Sequence, residues 1–280
     1  MDLTRKIIEL ALEEDLALTD ITTRLTIPGA EKGIGVISAC ENLVVAGNWV
    51  AEKVFKTVDP DIEYTIKIED GSEAGREDCV AEVTGSAASI LQAERTALNF
   101  LQRMSGIATT TREYLQSMGS DHAVLLDTRK TMPGMRLLDK YAVRIGGGKN
   151  HRACLGDGIL LKDNHIRFCG SVGEAVRRAR TGCPHMMKIE VEVQDLEELQ
   201  EAIQAGADII LLDNMNVEQI REAVKLADGR VTLEVSGGVV LEKLADLAAT
   251  GVNFISSGAL THSVKAVDLS LELYPEGHKL

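Results

Sequence analysis

The chain has 280 residues, with 30 Lys and Arg against 43 Asp and Glu, a formal net charge of −13 at pH 7. That balance excludes a general polyanion binder, because non-specific nucleic-acid affinity rests on a basic face. At 45% hydrophobic and 26% charged the composition is globular, and with aromatics at 3% the core must be built from Ala, Val, Ile and Leu.

The opening MDLTRKIIELALEEDLALTD carries acids through what a signal peptide would keep apolar, so it reads as an amphipathic helix of a cytoplasmic protein. From residue 33 come GIGVISA, NLVVAG, IEYTIKIEDGS and DCVAEVTGSA, short β-branched runs separated by Gly and acidic turns, as in an antiparallel or mixed sheet. AGNWVAEKVFKTV between them has helical spacing. So does the segment 90–118, which places Leu91, Leu98, Leu101, Met104 and Leu115 at helical intervals.

After Ser120 buried-type strands alternate with amphipathic helices. The strands are AVLLDT (123–128), GILLKDN (158–164), MKIEVEV (187–193), DIILLDN (208–214), VTLEVSGG (231–238) and NFISSGA (253–259). Helices such as DLEELQEAIQAG and NVEQIREAVKLADG lie between the later ones, and the steps from Glu192 to Asp213, Ser236 and Gly258 are 21 to 23 residues. This is a βα repeat with two matched Gly stops, at Gly206 and Gly251. Polar residues end nearly every strand, which favours a barrel with one mouth over a doubly wound sheet. The segment is shorter than a complete eight-unit barrel, so an incomplete barrel of six or seven strands is expected. The uncharged stretch 247–264 is broken by Asn253, Ser256, Ser257, Gly258 and Thr261 and is no membrane span. Five cysteines without a CxxC pair read as buried reduced thiols.

The chemistry concentrates between Arg129 and Arg167, where nine cations stand against three acids in an otherwise acidic chain. Such a focus attracts a small polyanion while the exterior stays soluble. Glu190 and Glu192 share parity in a strand built for burial, and Asp213 closes ILLD. Buried carboxylates need cations, hydroxyls or a metal. Glu190, deeper in the strand, is assigned to a core Lys and ranked below Glu192, which with Asp213 suits Mg²⁺ held largely through substrate phosphates. Ser236-Gly237-Gly238 and Ser257-Gly258 each end a strand before a helix, where exposed N–H groups suit phosphate. Lys162 also fits the strand-end Schiff-base lysine of a barrel aldolase. His165 reads as a structural partner of Asp163 or a backbone group, and Lys140 and Tyr141 as helix packing.

The runs ERTALNFLQRMSGIAT, DTRKTMPGMRLLDKYAVRIGGGKNHR, LKDNHI, IEVEV, ILLDN, EVSGG and SSGAL, in order from about residue 3 to residue 273, resemble the quinolinate phosphoribosyltransferase family. The resemblance implies the α/β fold of a type II phosphoribosyltransferase. An N-terminal α/β sandwich would occupy residues 1–110, with a tail, 266–280, returning to it. An incomplete α/β barrel would occupy 111–265. It further implies a pentosyltransferase of NAD biosynthesis that joins quinolinate to phosphoribosyl pyrophosphate, releasing CO₂ and pyrophosphate, with Mg²⁺ and no organic cofactor. The implied assembly is a homodimer or higher in which Arg95 reaches the neighbouring subunit's site. Arg129, His151, Arg152 and Lys162 would bind the carboxylates with Arg95. Lys130 would lie toward pyrophosphate beside Thr128. Glu192 and Asp213 would hold the ribose hydroxyls and Mg²⁺, and Ser236, Gly237, Gly238, Ser257 and Gly258 the 5-phosphate. The same resemblance allows two rivals: a phosphoribosyltransferase acting on nicotinate without decarboxylation, and a non-enzymatic ligand sensor on the same fold.

Overall fold

The computed structural model describes residues 3–27, 29, 31–119 and 122–277. The chain divides into two compact units, Met1–Arg112 with Met132–Gly147 and Val264–Leu280, and Glu113–Thr131 with Gly148–Ser263.

In the first unit helices α1 (Leu3–Asp15) and α2 (Ile21–Thr26) precede strands β1 (Lys32–Ala39) and β2 (Leu43–Val44), helix α3 (Asn48–Val58), strands β3 (Glu63–Ile66), β4 (Glu73–Ala74) and β5 (Cys79–Ser86), and the long helix α4 (Ala87–Met118), whose last turns enter the second unit. The alternating burial of β1 is what a sheet with one covered face requires. Val50, Ala51, Val54 and Phe55 of α3, and Ile90, Ala97, Leu98, Leu101 and Met104 of α4, are fully buried or nearly so and form the core of this layer. The C-terminal strand β12 (Leu269–Pro275) pairs antiparallel with β1 along its length and completes a four-stranded sheet of order β12-β1-β5-β3.

The second unit begins with strand β6 (Val124–Leu126). Helix α5 (Arg136–Gly146) comes next in the chain, and then strand β7 (Ile159–Leu161), helices α6 (Asp163–Cys169) and α7 (Val172–Gly182), strand β8 (Ile189–Val193), helix α8 (Leu196–Ala205), strand β9 (Ile209–Asp213), helix α9 (Val217–Ala227), strand β10 (Thr232–Ser236), helix α10 (Leu244–Ala248), strand β11 (Phe254–Ser256) and helix α11 (Ala259–His262). The strands form one parallel six-stranded sheet, β6-β11-β10-β9-β8-β7. All six expected barrel strands are present. A seventh pairing is rudimentary: Lys149 makes an isolated parallel bridge to Leu126 on the open side of β6. The helix ends follow their capping residues, with Asp195 accepting from Glu198 N–H, Asn216 and Gln219 forming a capping box, and Gly206 closing α8 at φ +82°.

One helix groups away from its neighbours in the chain, and the expectation for the thiols needs correction. Helix α5 lies inside the stretch 111–265 but clusters with the first unit. Its Asp139 carboxylate, fully buried, takes two bonds from the Arg103 guanidinium (3.0 and 2.8 Å), and Tyr141 donates to Asp70 at 2.7 Å. Breaking such a buried pair leaves a charge uncompensated, so the helix stays where its partners are. The five cysteines are free, as expected, but none is buried: Cys154 is exposed and the others half-buried. No described helix is long and apolar enough to cross a membrane.

Candidate active site at the open end of the parallel sheet

Pairing register puts Glu190, Glu192, Ile209, Leu211, Asp213, Thr232, Glu234 and Ser236 on one face of the sheet. Ile210, Leu212, Val191 and Val193, all fully buried, take the opposite parity. Thirteen of the fourteen residues expected to bind or react belong to the second unit, and most follow the C-terminal ends of its strands.

Thr128, Arg129 and Lys130 follow β6. The Thr128 hydroxyl accepts from Lys130 N–H at 3.0 Å, and the Thr261 hydroxyl of α11 donates to Lys130 O at 2.9 Å, so the turn is held at both ends. Asp127, between β6 and this turn, is fully buried. Its carboxylate accepts from Asn150 Nδ2 at 2.7 Å and from the backbone N–H of His151 at 2.8 Å. One buried acid therefore ties the Arg129 turn to the His151-Arg152 segment. Arg152 donates to Gly158 O at 2.8 Å. Burial, and then the neighbouring Arg129, pull its guanidinium below the usual proton affinity. Two guanidiniums that repel one another form a site that an anion relieves, and planar forks suit carboxylates.

Lys162 ends β7 and caps α6, and its Nζ pairs with Glu192 Oε2 at 2.5 Å. The Lys162 side chain is 46% exposed, so the pair is open to exchange with an arriving anion. An exposed ammonium beside a carboxylate lacks the apolar surroundings that activate a Schiff-base lysine, which removes the support for the aldolase reading. His165 accepts from Lys162 N–H through Nδ1 at 3.0 Å, the expected structural role.

Asp213 closes β9 and accepts from Asn214 Nδ2 at 2.8 Å. Ser236 closes β10, and Gly237 and Gly238 follow at φ +86° and +58°. A Cβ on Gly237 would lie 2.3 Å from Asn214 Oδ1, so only glycine permits this close turn. A cavity of about 570 Å³ lies beside it, lined by Gly237, Gly238, Arg221 and Lys243 among others. Gly258 caps α11, packed so closely that a Cβ would meet Lys130 Cδ and His262 at 2.8 Å. Ser257 is buried, its hydroxyl placed between Val239 O and Ala259 N–H at 3.4 and 3.3 Å. It shapes the turn from inside.

Glu190 departs from expectation. Among the described residues it meets no lysine; its Oε2 lies 3.1 Å from His151 Nε2. Because His151 Nδ1 accepts from Arg152 N–H at 2.7 Å, Nε2 carries the hydrogen and donates to Glu190. Glu234, 2% exposed, stands beside them, with Oε1 3.8 Å from the same Nε2. Burial and the adjacent Glu190 charge push the Glu234 carboxyl up to about 7. Asp127, Asn150 and Glu234 were not singled out from sequence. The signal available for Glu234 was its parity with Ser236 in an otherwise apolar strand.

Arg95 lies on α4 in the first unit, its side chain exposed and 3.9 Å from the Glu94 carboxylate. Glu192 and Asp213, at the ends of adjacent strands, offer hard carboxylate oxygens of the kind Mg²⁺ takes. The donor set fits a magnesium ion that also takes substrate oxygens.

Two family models match the chain: "Quinolinate phosphoribosyl transferase, N-terminal domain" over residues 20–105 and "Quinolinate phosphoribosyl transferase, C-terminal domain" over residues 107–272. A probable nicotinate-nucleotide pyrophosphorylase [carboxylating] of Bacillus subtilis is 44% identical over 93% of this chain and 90% of its own. A quinolinate phosphoribosyltransferase [decarboxylating] of Nicotiana glauca is 41% identical over 97% of this chain and 82% of its own. The solved nicotinate-nucleotide pyrophosphorylase of Francisella tularensis superposes with a TM-score of 0.93 at 41% identity, over 98% of this chain and 96% of its own.

Proposed function

The chain belongs to the quinolinate phosphoribosyltransferase family, and we propose on that footing that it transfers the phosphoribosyl group of phosphoribosyl pyrophosphate to quinolinate with loss of CO₂, giving nicotinate mononucleotide for NAD biosynthesis. The observation that carries the assignment to this site is the buried Asp127 carboxylate, which ties the Arg129 turn to the His151-Arg152 segment and so brings Arg129 close enough to lower the proton affinity of Arg152. Paired forks of this kind match a dicarboxylate.

In this reading Arg129, Arg152 and Lys162, with His151 behind them, hold the two carboxylates and aim the ring nitrogen at the anomeric carbon. The C–N bond forms as the bond to pyrophosphate breaks, and the electron pair leaves with pyrophosphate. Glu192 and Asp213 face the ribose, where positive charge develops, and carboxylates placed in advance stabilise it. Lys130 lies on the pyrophosphate side. The Gly237-Gly238 turn and Gly258 present N–H groups to the 5-phosphate, with Arg221 and Lys243 nearby, while Ser236 and Ser257 set the turns. A magnesium ion held by Glu192 and Asp213 together with substrate oxygens would supply charge neutralisation for pyrophosphate. Once the ring nitrogen is alkylated its positive charge stabilises the pair left at C2 when CO₂ departs, and a proton then completes the product. No organic cofactor is needed for that step.

Lys162 serves both phases: it leaves Glu192 to meet a substrate carboxylate, and so frees Glu192 for the ribose. We further propose that the protein works in the cytoplasm as a homodimer or higher assembly, with Arg95 of one subunit completing the carboxylate site of the next. The Arg95 side chain is 59% exposed and is therefore available for this.

The test is one assay of the purified protein with quinolinate, phosphoribosyl pyrophosphate and Mg²⁺, following CO₂ and nucleotide together. Equal yields of the two are expected. Turnover of nicotinate and none of quinolinate would overturn the assignment.

A further inference from the structure

The parallel sheet has a second polar cluster, at the other end of its strands. A cavity of about 730 Å³ opens there. Its walls include Ile159, Ile209 and Phe254, the first residues of β7, β9 and β11, so it lies at the N-terminal end, away from the mouth where Lys162, Asp213 and Ser236 stand. These three apolar side chains are only half-buried although each sits in a strand. That is the mark of a lumen that six strands do not fill. Met187 adds a further apolar wall, while Lys149, His151, Arg152 and Lys188 line the cavity as well and set cations around its acidic floor.

At the base of the cavity lie Glu190 and Glu234, 5% and 2% exposed. In each, Oε1 is buried and accepts no hydrogen bond from any described residue. A buried acceptor left without a donor is costly, and a buried carboxylate more so. The base therefore calls for donors that carry positive charge. Side-chain atoms of His151, Glu190 and Glu234 come within 4.8 Å of one another, close enough for a metal ion. The tautomer argues against one. His151 Nδ1 already accepts from Arg152 N–H, so Nε2 bears a hydrogen and has no lone pair for a metal. A chamber of this volume with apolar walls is instead the size and character of a small-molecule site.

We propose that this floor is a second ligand site, continuous with the substrate mouth through His151 and Arg152, which takes a small organic cation: an ammonium or amidinium head donating to Glu190 and Glu234 Oε1, and an apolar body against Ile209, Phe254 and Met187. The head must bear N–H groups, because only donors satisfy those oxygens. The site adjoins the mouth through His151, which donates to Glu190, and through Arg152, so both ends of the lumen share these two side chains.

Benzylammonium is the probe, with benzyltrimethylammonium, which keeps the charge and loses the donors, as its control. Calorimetric titration of the full-length protein should give saturable one-to-one binding of benzylammonium. The quaternary analogue should bind at least tenfold more weakly. Glu234→Gln should weaken benzylammonium at least tenfold, and Met187→Trp, which fills the chamber from its wall, should do the same with the Glu pair intact. Equal binding of both probes, benzylammonium affinity unchanged in both variants, or no saturable binding by the wild type would overturn the proposal. So would saturable Mn²⁺ binding that Glu234→Gln abolishes, in a protein that takes no benzylammonium. None of these readouts depends on turnover, so their failure is separate from failure of the transferase assignment.

Discussion

Replacing Glu234 by Gln should stabilise the protein at neutral and alkaline pH, because the wild-type carboxyl is buried beside Glu190 and pushed up from 4.5 to about 7. Below pH 4.5 the group is protonated in both the folded and the unfolded chain and contributes nothing. As pH rises from 4.5 to 7 the unfolded carboxyl ionises first, folding has to take up a proton, and wild-type stability falls. Above pH 7 the folded group is ionised too, and the deficit is complete and constant. At about 1.4 kcal/mol for each tenfold change in proton affinity, the full deficit is roughly 3 kcal/mol. Gln keeps the shape, removes the second charge and offers an N–H to the orphaned Oε1 of Glu190. Thermal unfolding of both proteins at pH 5 and pH 8 measures this. At about 2 to 4 °C per kcal/mol for a protein of this size, the variant's midpoint should exceed the wild type's by roughly 6 to 12 °C at pH 8, and by less at pH 5. A variant no more stable than wild type at pH 8, or an advantage of equal size at both pH values, would refute the reasoning.

Three further outcomes follow from the mouth. Arg152→Ala or Lys162→Ala should reduce turnover with quinolinate at least a hundredfold without altering the circular dichroism spectrum; a rate near wild type in either would remove that residue from the site. A mixture of Arg95→Ala and Arg152→Ala proteins should recover part of the activity that each lacks, since a shared site leaves some mouths with both arginines intact, and failure to complement would count against sharing. Gly237→Ala forces a Cβ to 2.3 Å from Asn214 Oδ1 at φ +86° and should cost about 1 to 3 kcal/mol or displace the turn, read as a raised KM for phosphoribosyl pyrophosphate with the quinolinate KM little changed.

The strands of the second unit were legible because each is a short apolar run closed by a polar residue and followed by a capped helix, and pairing depends on that local pattern. Partners could not be read where they come from loops. Glu190 was assigned to a lysine on general grounds of charge. Its actual neighbour, His151, arrives on the irregular segment after α5, and nothing in IEVEV records where that loop passes. The membership of α5 was hidden for a related reason. Arg103 and Asp139 are 36 residues apart, and in the sequence each is one charge among many. The thiols show the reverse error: rarity and odd number say nothing of depth, and Cys154 sits exposed in the loop after Arg152.

The site and the incompleteness of the barrel have a common cause. A closed eight-stranded barrel fills its interior with side chains, whereas this sheet has six strands and leaves β6 and β7 as its two edges. An exposed edge must find partners for its backbone. Here the segment after α5 supplies some of them, with Lys149 N–H donating to Leu125 O at 2.9 Å and Asp127 N–H to Lys149 O at 3.1 Å. After that pairing Asn150, His151 and Arg152 lie where a seventh strand would otherwise continue, and Asp127 captures the first two. An apolar strand in this place would close the lumen. The irregular segment instead carries a histidine and an arginine to Arg129, so the cations meet because the barrel stops short. Glu190 and Glu234 face the same unfilled lumen from below, where two more strands would have brought apolar side chains. A polar floor and a cationic mouth are therefore what an interrupted barrel of this sequence has to contain.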